Sequence, residues 1–192
     1  MRRSSLLALV LFVALAGCDQ FRGTERMAMA IIGPLCPPSA VLADAVTVTK
    51  LKPGSPVAVM PDASNVAFTA EMSKADIQCE YDMKKSTLTV DISFAVRASR
   101  GQAAAASDPP LDFFVAILDV EGNVLSKKVY QNQPELAGKP SAQWTQRINK
   151  FPVPIEMDKR PYDYEVLTGF QLSPTELAYN RAPKPIPQQR RQ

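Results

Sequence analysis

The chain has no histidine. That removes the side chain whose ordinary pKa lies nearest neutrality, and with it the serine and cysteine triads that use imidazole as base. Only three cysteines are present, too few without histidine for a tetrahedral zinc site. Glycine is scarce at 8 of 192 residues and scattered, so neither a phosphate-cradling loop nor a dinucleotide-binding fingerprint can be read. No charged heptad pattern is long enough for a coiled coil. The apolar run Leu6–Ala16 has eleven residues, short of the roughly 20 that a membrane-crossing helix needs.

What remains is an ordinary folded composition, 46% hydrophobic and 21% charged, with length for one domain and a core. Seventeen prolines imply many loops. The net charge of +3 is unevenly placed: Arg2 and Arg3 stand at the start, and Arg181, Lys184, Arg190 and Arg191 fall in the last twelve residues. The stretch 18–180 keeps 16 basic against 19 acidic residues. A nucleic-acid binder needs a basic face on the fold itself, so nucleic acid is not an expected partner.

Arg2 and Arg3, the run Leu6–Ala16 and the sequence Leu15-Ala16-Gly17-Cys18 follow one another in the order of a signal peptide. The four-residue box resembles the lipobox of bacterial lipoproteins. The resemblance implies removal of residues 1–17, lipidation of the Cys18 sulfur, and anchoring of the chain in a membrane of the cell envelope, facing the periplasm. Acylation of the new amine usually follows. Two or three acyl chains hold a membrane far more firmly than one. Asp19 is similar to the inner-membrane retention signal of enterobacterial lipoproteins, with the outer membrane as the alternative. A plain signal peptide with Cys18 incidental is the competing reading. Residues 18–35 then form the lipidated N-terminus and linker, spanning about 23 Å as a coil, with Met27–Leu35 apolar enough to pack on the body. Cys36 and Cys79 remain as an even pair, which in an oxidising compartment predicts a disulfide; two buried free thiols are the alternative.

From Val46 the pattern is β. Thr47–Leu51 alternates toward Pro53-Gly54, and Val66–Ala70 follows a Pro- and Ser-rich loop. Ile77, Cys79, Tyr81 and Met83 share one parity against Asp76, Gln78, Glu80 and Asp82, and Leu88, Val90, Ile92, Phe94 and Val96 answer them across Lys84-Lys85-Ser86. Two alternating runs around a short polar turn predict a hairpin with Cys79 inward. Phe113–Leu118 is apolar on both parities, a strand covered on both faces. Asp119–Asn123 is a turn in which Gly122 takes positive φ. Val124–Tyr130 returns, with Lys127 and Lys128 guarding an edge. Trp144 and Ile148 lie on one parity of a further strand that continues through Phe151–Ile155, and Tyr162, Tyr164, Val166, Thr168 and Phe170 alternate through the last. Ser173-Pro174-Thr175-Glu176 is a capping box opening a short helix through about Asn180. The prediction is an all-β chain, an antiparallel β-sandwich of immunoglobulin-like or fibronectin-like type with about seven strands and a short C-terminal helix. A small barrel is the alternative. The sandwich domain covers 36–180, and a basic, Pro-rich tail covers 181–192.

Candidate chemistry is confined to carboxylates and aromatics. Asp76, Glu80 and Asp82, with Asp91 on the partner strand, form either an acid/base or calcium cluster or a solvated polar face. Asp119–Asn123 resembles part of a calcium loop but lacks the downstream Glu and reads as a turn. Trp144, Tyr162, Tyr164 and Tyr179 form either a sugar- or peptide-binding platform or core packing. No metal, cofactor or catalytic residue is predicted. Phe113–Lys128, together with Gly169–Pro174 and Tyr179-Asn180-Arg181, is similar to a group of uncharacterised proteobacterial envelope lipoproteins, with which no activity is associated. The expectation is a non-enzymatic, lipid-anchored binding or scaffolding domain that contacts an envelope protein or cell-wall partner. A carboxylate-dependent hydrolase of cell-wall sugars is the enzymatic alternative, and a module that accepts or donates a β-strand at its edge is the third.

Overall fold

A computed structural model describes residues 36–55, 63–82, 84, 85, 87–134, 136, 138–156 and 158–182. Among them are β1 (Ser39–Val41), β2 (Thr47–Leu51), β3 (Val66–Met72), β4 (Asp76–Asp82), β5 (Thr87–Arg100), β6 (Phe113–Asp119), β7 (Val124–Tyr130), β8 (Ser141–Val153), β9 (Tyr164–Phe170) and the helix α1 (Pro174–Arg181). One sheet has the order β1-β9-β6-β7. In the other, β2 pairs with β3, and the long β5 carries β3 and β4 along one side and β8 along the other. Nine strands stand in place of the expected seven or so, and the fold is all-β and sandwich-like.

The hairpin read from alternation is present and longer than predicted. Ile77↔Ile92 and Cys79↔Val90 are cross-strand partners in β4 and β5, and β3 continues the same side of β5 from Met72↔Val96 to Phe68↔Arg100. Between the two segments the register slips by one residue. There the Ser73 N–H donates to the Ala95 carbonyl at 2.8 Å, and the Ser73 hydroxyl accepts the Ala95 N–H at 2.8 Å. A side chain thus replaces the carbonyl that the bulge carries away, and no ladder donor is lost.

Alternation then dictates the core. The inward parity of the β2–β3–β5 sheet supplies Val48, Phe68, Ala70, Leu88, Val90, Ile92 and Phe94, and the facing sheet supplies Phe113, Val115, Ile117, Val166 and Phe170 to the same cluster. Phe94 and Phe113 meet edge-to-face across the sheets, centroids 5.3 Å apart, and the Thr168 hydroxyl donates to Met72 Sδ at 3.2 Å. Each such large apolar side chain stabilises the fold by about 1.5–3 kcal/mol relative to exposure. β6 is covered on both faces as its double parity requires: Phe114 and Ala116 form a second cluster with Ala45, flanked by Leu118, Leu167 and Leu172.

Two readings need correction. β1 pairs in parallel with β9, Ser39↔Val166 through Val41↔Thr168; every other pairing among the described residues is antiparallel, and three residues are too few to display alternation. Tyr162 does not continue the last strand. It sits in a 3-10 turn, Pro161–Asp163, 52% exposed, because the Asp163 carboxylate accepts the Arg160 N–H at 2.7 Å and closes the turn ahead of Tyr164. The helix begins as predicted: the Ser173 hydroxyl accepts from the Glu176 N–H at 3.3 Å and Glu176 accepts from the Ser173 N–H at 2.8 Å.

Candidate functional site

Cys18, the lipobox and the apolar segment Met27–Leu35 lie outside the described residues. Cys36 and Cys79 form a disulfide with Cα atoms 5.6 Å apart, fastening the start of the domain to the middle of β4. Among the described residues no helix is long and apolar enough to cross a membrane.

The carboxylates singled out by alternation do share the outward face of one sheet, but they divide among separate duties. Asp76 and Asp91 line a concavity of about 330 Å³ together with Gln78, Ser93, Arg147 and Asn149. Asp91 is committed within it, accepting the Lys150 N–H at 2.6 Å. Glu80 lies further along β4, opposite Thr89. Asp82 closes the β4–β5 turn, accepting from the Lys84 and Lys85 N–H groups at 3.0 and 3.2 Å. Its pKa is held below the ordinary value, chiefly by the Lys85 amide. Asp119 closes the β6–β7 turn. It accepts from the Asn123 side-chain amide at 2.9 Å and backbone N–H at 2.8 Å, and these bonds, the side-chain one foremost, keep it below the ordinary carboxylate range. Gly122 there has φ +83°, as the turn reading requires. Among the described residues no group of three or more His, Cys, Asp or Glu is placed to hold a metal ion.

The four aromatics do not form one platform. Tyr164 is in the core with its hydroxyl accepting the Glu156 N–H at 2.9 Å. Trp144 packs half-buried on the core from β8, Tyr162 is exposed, and Tyr179 on α1 borders a separate concavity of about 240 Å³ with Thr47, Thr49, Glu71 and Arg97.

No protein family, curated protein or solved structure matches the chain.

The surface that departs most from a solvated β face is β7. Among the described residues it is hydrogen-bonded only to β6 and ends its sheet, so one row of its backbone N–H and C=O groups has no ladder partner among them. Val124, Leu125 and Val129 on it are 58%, 40% and 46% exposed. The two lysines between them lie back over rings: Lys127 Nζ is 4.5 Å from the Phe114 centroid, and Lys128 Nζ is 5.0 Å from that of Tyr130. Tyr130 in turn stacks on Phe113, centroids 5.2 Å apart. The lysine pair marks this edge in the sequence. The exposure of its valines leaves no such mark, because apolar identity in a strand reads as burial.

Proposed function

We propose that this chain is a lipid-anchored protein of the bacterial cell envelope whose β-sandwich binds another envelope component by surface contact rather than by catalysis. The observation that carries the binding reading is the β7 edge, unpaired on one side among the described residues and bearing exposed Val124, Leu125 and Val129. Monomeric proteins seldom leave an apolar edge strand open, and strand addition uses such edges. Asp91 and Asp82 are committed to a bulge and a turn, which favours it over a hydrolase that needs two carboxylates free and facing one substrate. The lipobox around Cys18 supports the anchor, and the Cys36–Cys79 bridge suits an oxidising compartment.

The test is a photo-crosslinking amino acid placed at Val129 on the edge or at Thr89 on the opposite sheet, in cells. Adducts of discrete mass at Val129 and none at Thr89 are expected. Equal labelling at both positions, or none at Val129, overturns the binding reading. Release of sugar fragments from cell-wall material by the purified chain, abolished by Asp76→Asn, would put the hydrolase in its place. The anchor is checked separately by mass spectrometry, where Cys18→Ala should lose the acyl mass and leave the membrane fraction.

A further inference from the structure

Four of the six exposed large hydrophobic residues among the described ones gather at one end of the sandwich. Val120 belongs to the β6–β7 turn, Val124 and Leu125 open β7, and Tyr162 lies in the turn before β9. Register shows that these are neighbours, since Asp119 pairs with Tyr164 and Leu118 with Glu165. Leu125 lines one concavity with Glu156, Lys159 and Asp163.

β1 runs away from this same end. The Pro38 carbonyl accepts the Val166 N–H at 2.9 Å, and Ser39 pairs with Val166, so β1 starts beside the start of β9. β1 therefore begins toward the end that carries the exposed apolar residues. Seventeen residues, 19–35, separate Cys36 from Cys18.

We infer that this end of the sandwich lies on the membrane surface, with Val120 and Tyr162 in the interfacial layer and the β7 edge left to the partner proposed above. The inference rests on the anchor at Cys18 proposed above. An exposed valine and a tyrosine suit an interface where one side is apolar and the other wet. The charges at this end are mixed. Lys84, Lys85, Lys159 and Arg160 stand against Asp82, Glu121, Glu156 and Asp158, and Asp119 and Asp163 are folded into their own turns. This balance does not call for anionic lipid, so the fitting surface is a zwitterionic headgroup layer.

The test uses the mature acylated chain in phosphatidylcholine–phosphatidylethanolamine vesicles with brominated acyl chains. The wild type supplies its own control, because its single tryptophan is Trp144, nine residues up β8 from Val153 and so about 30 Å along the strand. Moving the probe with Trp144→Phe and Val120→Trp alters one exposed and one half-buried position. Tyr162→Trp in the same background is the second probe. The expected result is quenching and a blue shift at positions 120 and 162, with Trp144 emission unchanged in the wild type. An acylated chain whose end probes are not quenched, or are quenched no more than Trp144, overturns the contact and leaves the anchor standing. Quenching that appears only when phosphatidylglycerol is added also overturns it. A wild-type chain without acyl mass overturns both readings.

Discussion

Asp91 on β5 accepts the backbone N–H of Lys150 on β8 at 2.6 Å, and Lys150 is the one non-glycine residue with positive φ, +53°, among the described residues. The two face each other where β8 carries one residue more than β5, between Val90↔Phe151 and Ile92↔Ile148. A left-handed residue with a Cβ costs about 1–2 kcal/mol, and the carboxylate offsets it by capturing the N–H that the bulge turns out of the ladder. Asp91→Ala is expected to lower stability by about 1 kcal/mol, while Asp91→Asn, which keeps an acceptor, stays close to wild type. Lys150→Gly should be neutral or slightly stabilising. Urea unfolding of the three variants checks the order, and an Asp91→Ala chain as stable as wild type would remove the carboxylate's role.

The Cys36–Cys79 bridge closes a loop of sequence separation 43. On the chain-entropy model that closure is worth about 4 kcal/mol. The double variant Cys36→Ala/Cys79→Ala should therefore unfold at markedly lower denaturant concentration. The wild type should lose the same margin in reductant, with two thiols appearing on titration.

Gly101 and Gly169 leave room for different neighbours, and their alanine variants should differ accordingly. A Cβ at Gly101 would overlap the Val66 carbonyl oxygen, which is backbone held by the Ala103 N–H. At Gly169 it would meet Ala45 Cβ at 2.8 Å, which moves only with its backbone, and the Phe114 ring at 3.1 Å, which can tilt. Gly169→Ala is expected to cost about 1–2 kcal/mol and Gly101→Ala about 3 kcal/mol or more. Thermal unfolding of the pair settles the ranking.

Local pattern made much of this fold legible and left specific parts dark. Ile77, Cys79 and Tyr81 against Leu88, Val90 and Ile92 carry the hairpin in their parity. Phe114 and Ala116 announce the second face of β6, and Ser173 with Glu176 announces the helix, because each signal is contained within a few residues. The bulges at Ser73 and Lys150 are invisible because a one-residue slip leaves no compositional trace when the bulged residue is not glycine. The Ala- and Ser-rich stretch after Arg100 reads as shapeless. It is ordered by Asp108, which pairs with Arg100 at 2.7 Å and accepts the Leu136 N–H at 2.9 Å, partners found only once the chain has folded. For the same reason strand order across two sheets, and the gathering of Val120, Leu125 and Tyr162 at one end, could not be read from neighbours in sequence.

The helix is fastened by Asn180, whose side-chain amide donates to the carbonyls of Asp44 at 2.7 Å and Thr47 at 2.8 Å. Those carbonyls lie where the chain passes from one sheet to the other, so the amide ties α1 to the crossover. Asn180→Ala leaves both acceptors unserved and should cost about 1–3 kcal/mol. Asn180→Asp has the same size but sets a carboxylate against two carbonyls, and should cost more. Faster amide exchange confined to α1 and residues 42–48 is the expected signature; uniform loosening of the sandwich would contradict it.

Acid should release the same helix by a second route. Burial alone would raise the Glu176 pKa, but the Lys50 ammonium at 2.7 Å and the Ser173 N–H together outweigh it and hold the carboxyl below its ordinary value. A carboxyl with a depressed folded-state pKa contributes stability that is fully present above its unfolded value and is lost as pH falls through the folded one. The α1 contact is therefore expected to be pH-independent near neutrality and to weaken below the ordinary carboxylate range. Glu176→Gln, which loses the charge but keeps an acceptor for Ser173, should start weaker at neutral pH and show a shallower acid loss. Comparing amide exchange in α1 for the two chains across that range checks the sign, and equal slopes would assign the acid sensitivity to another carboxylate.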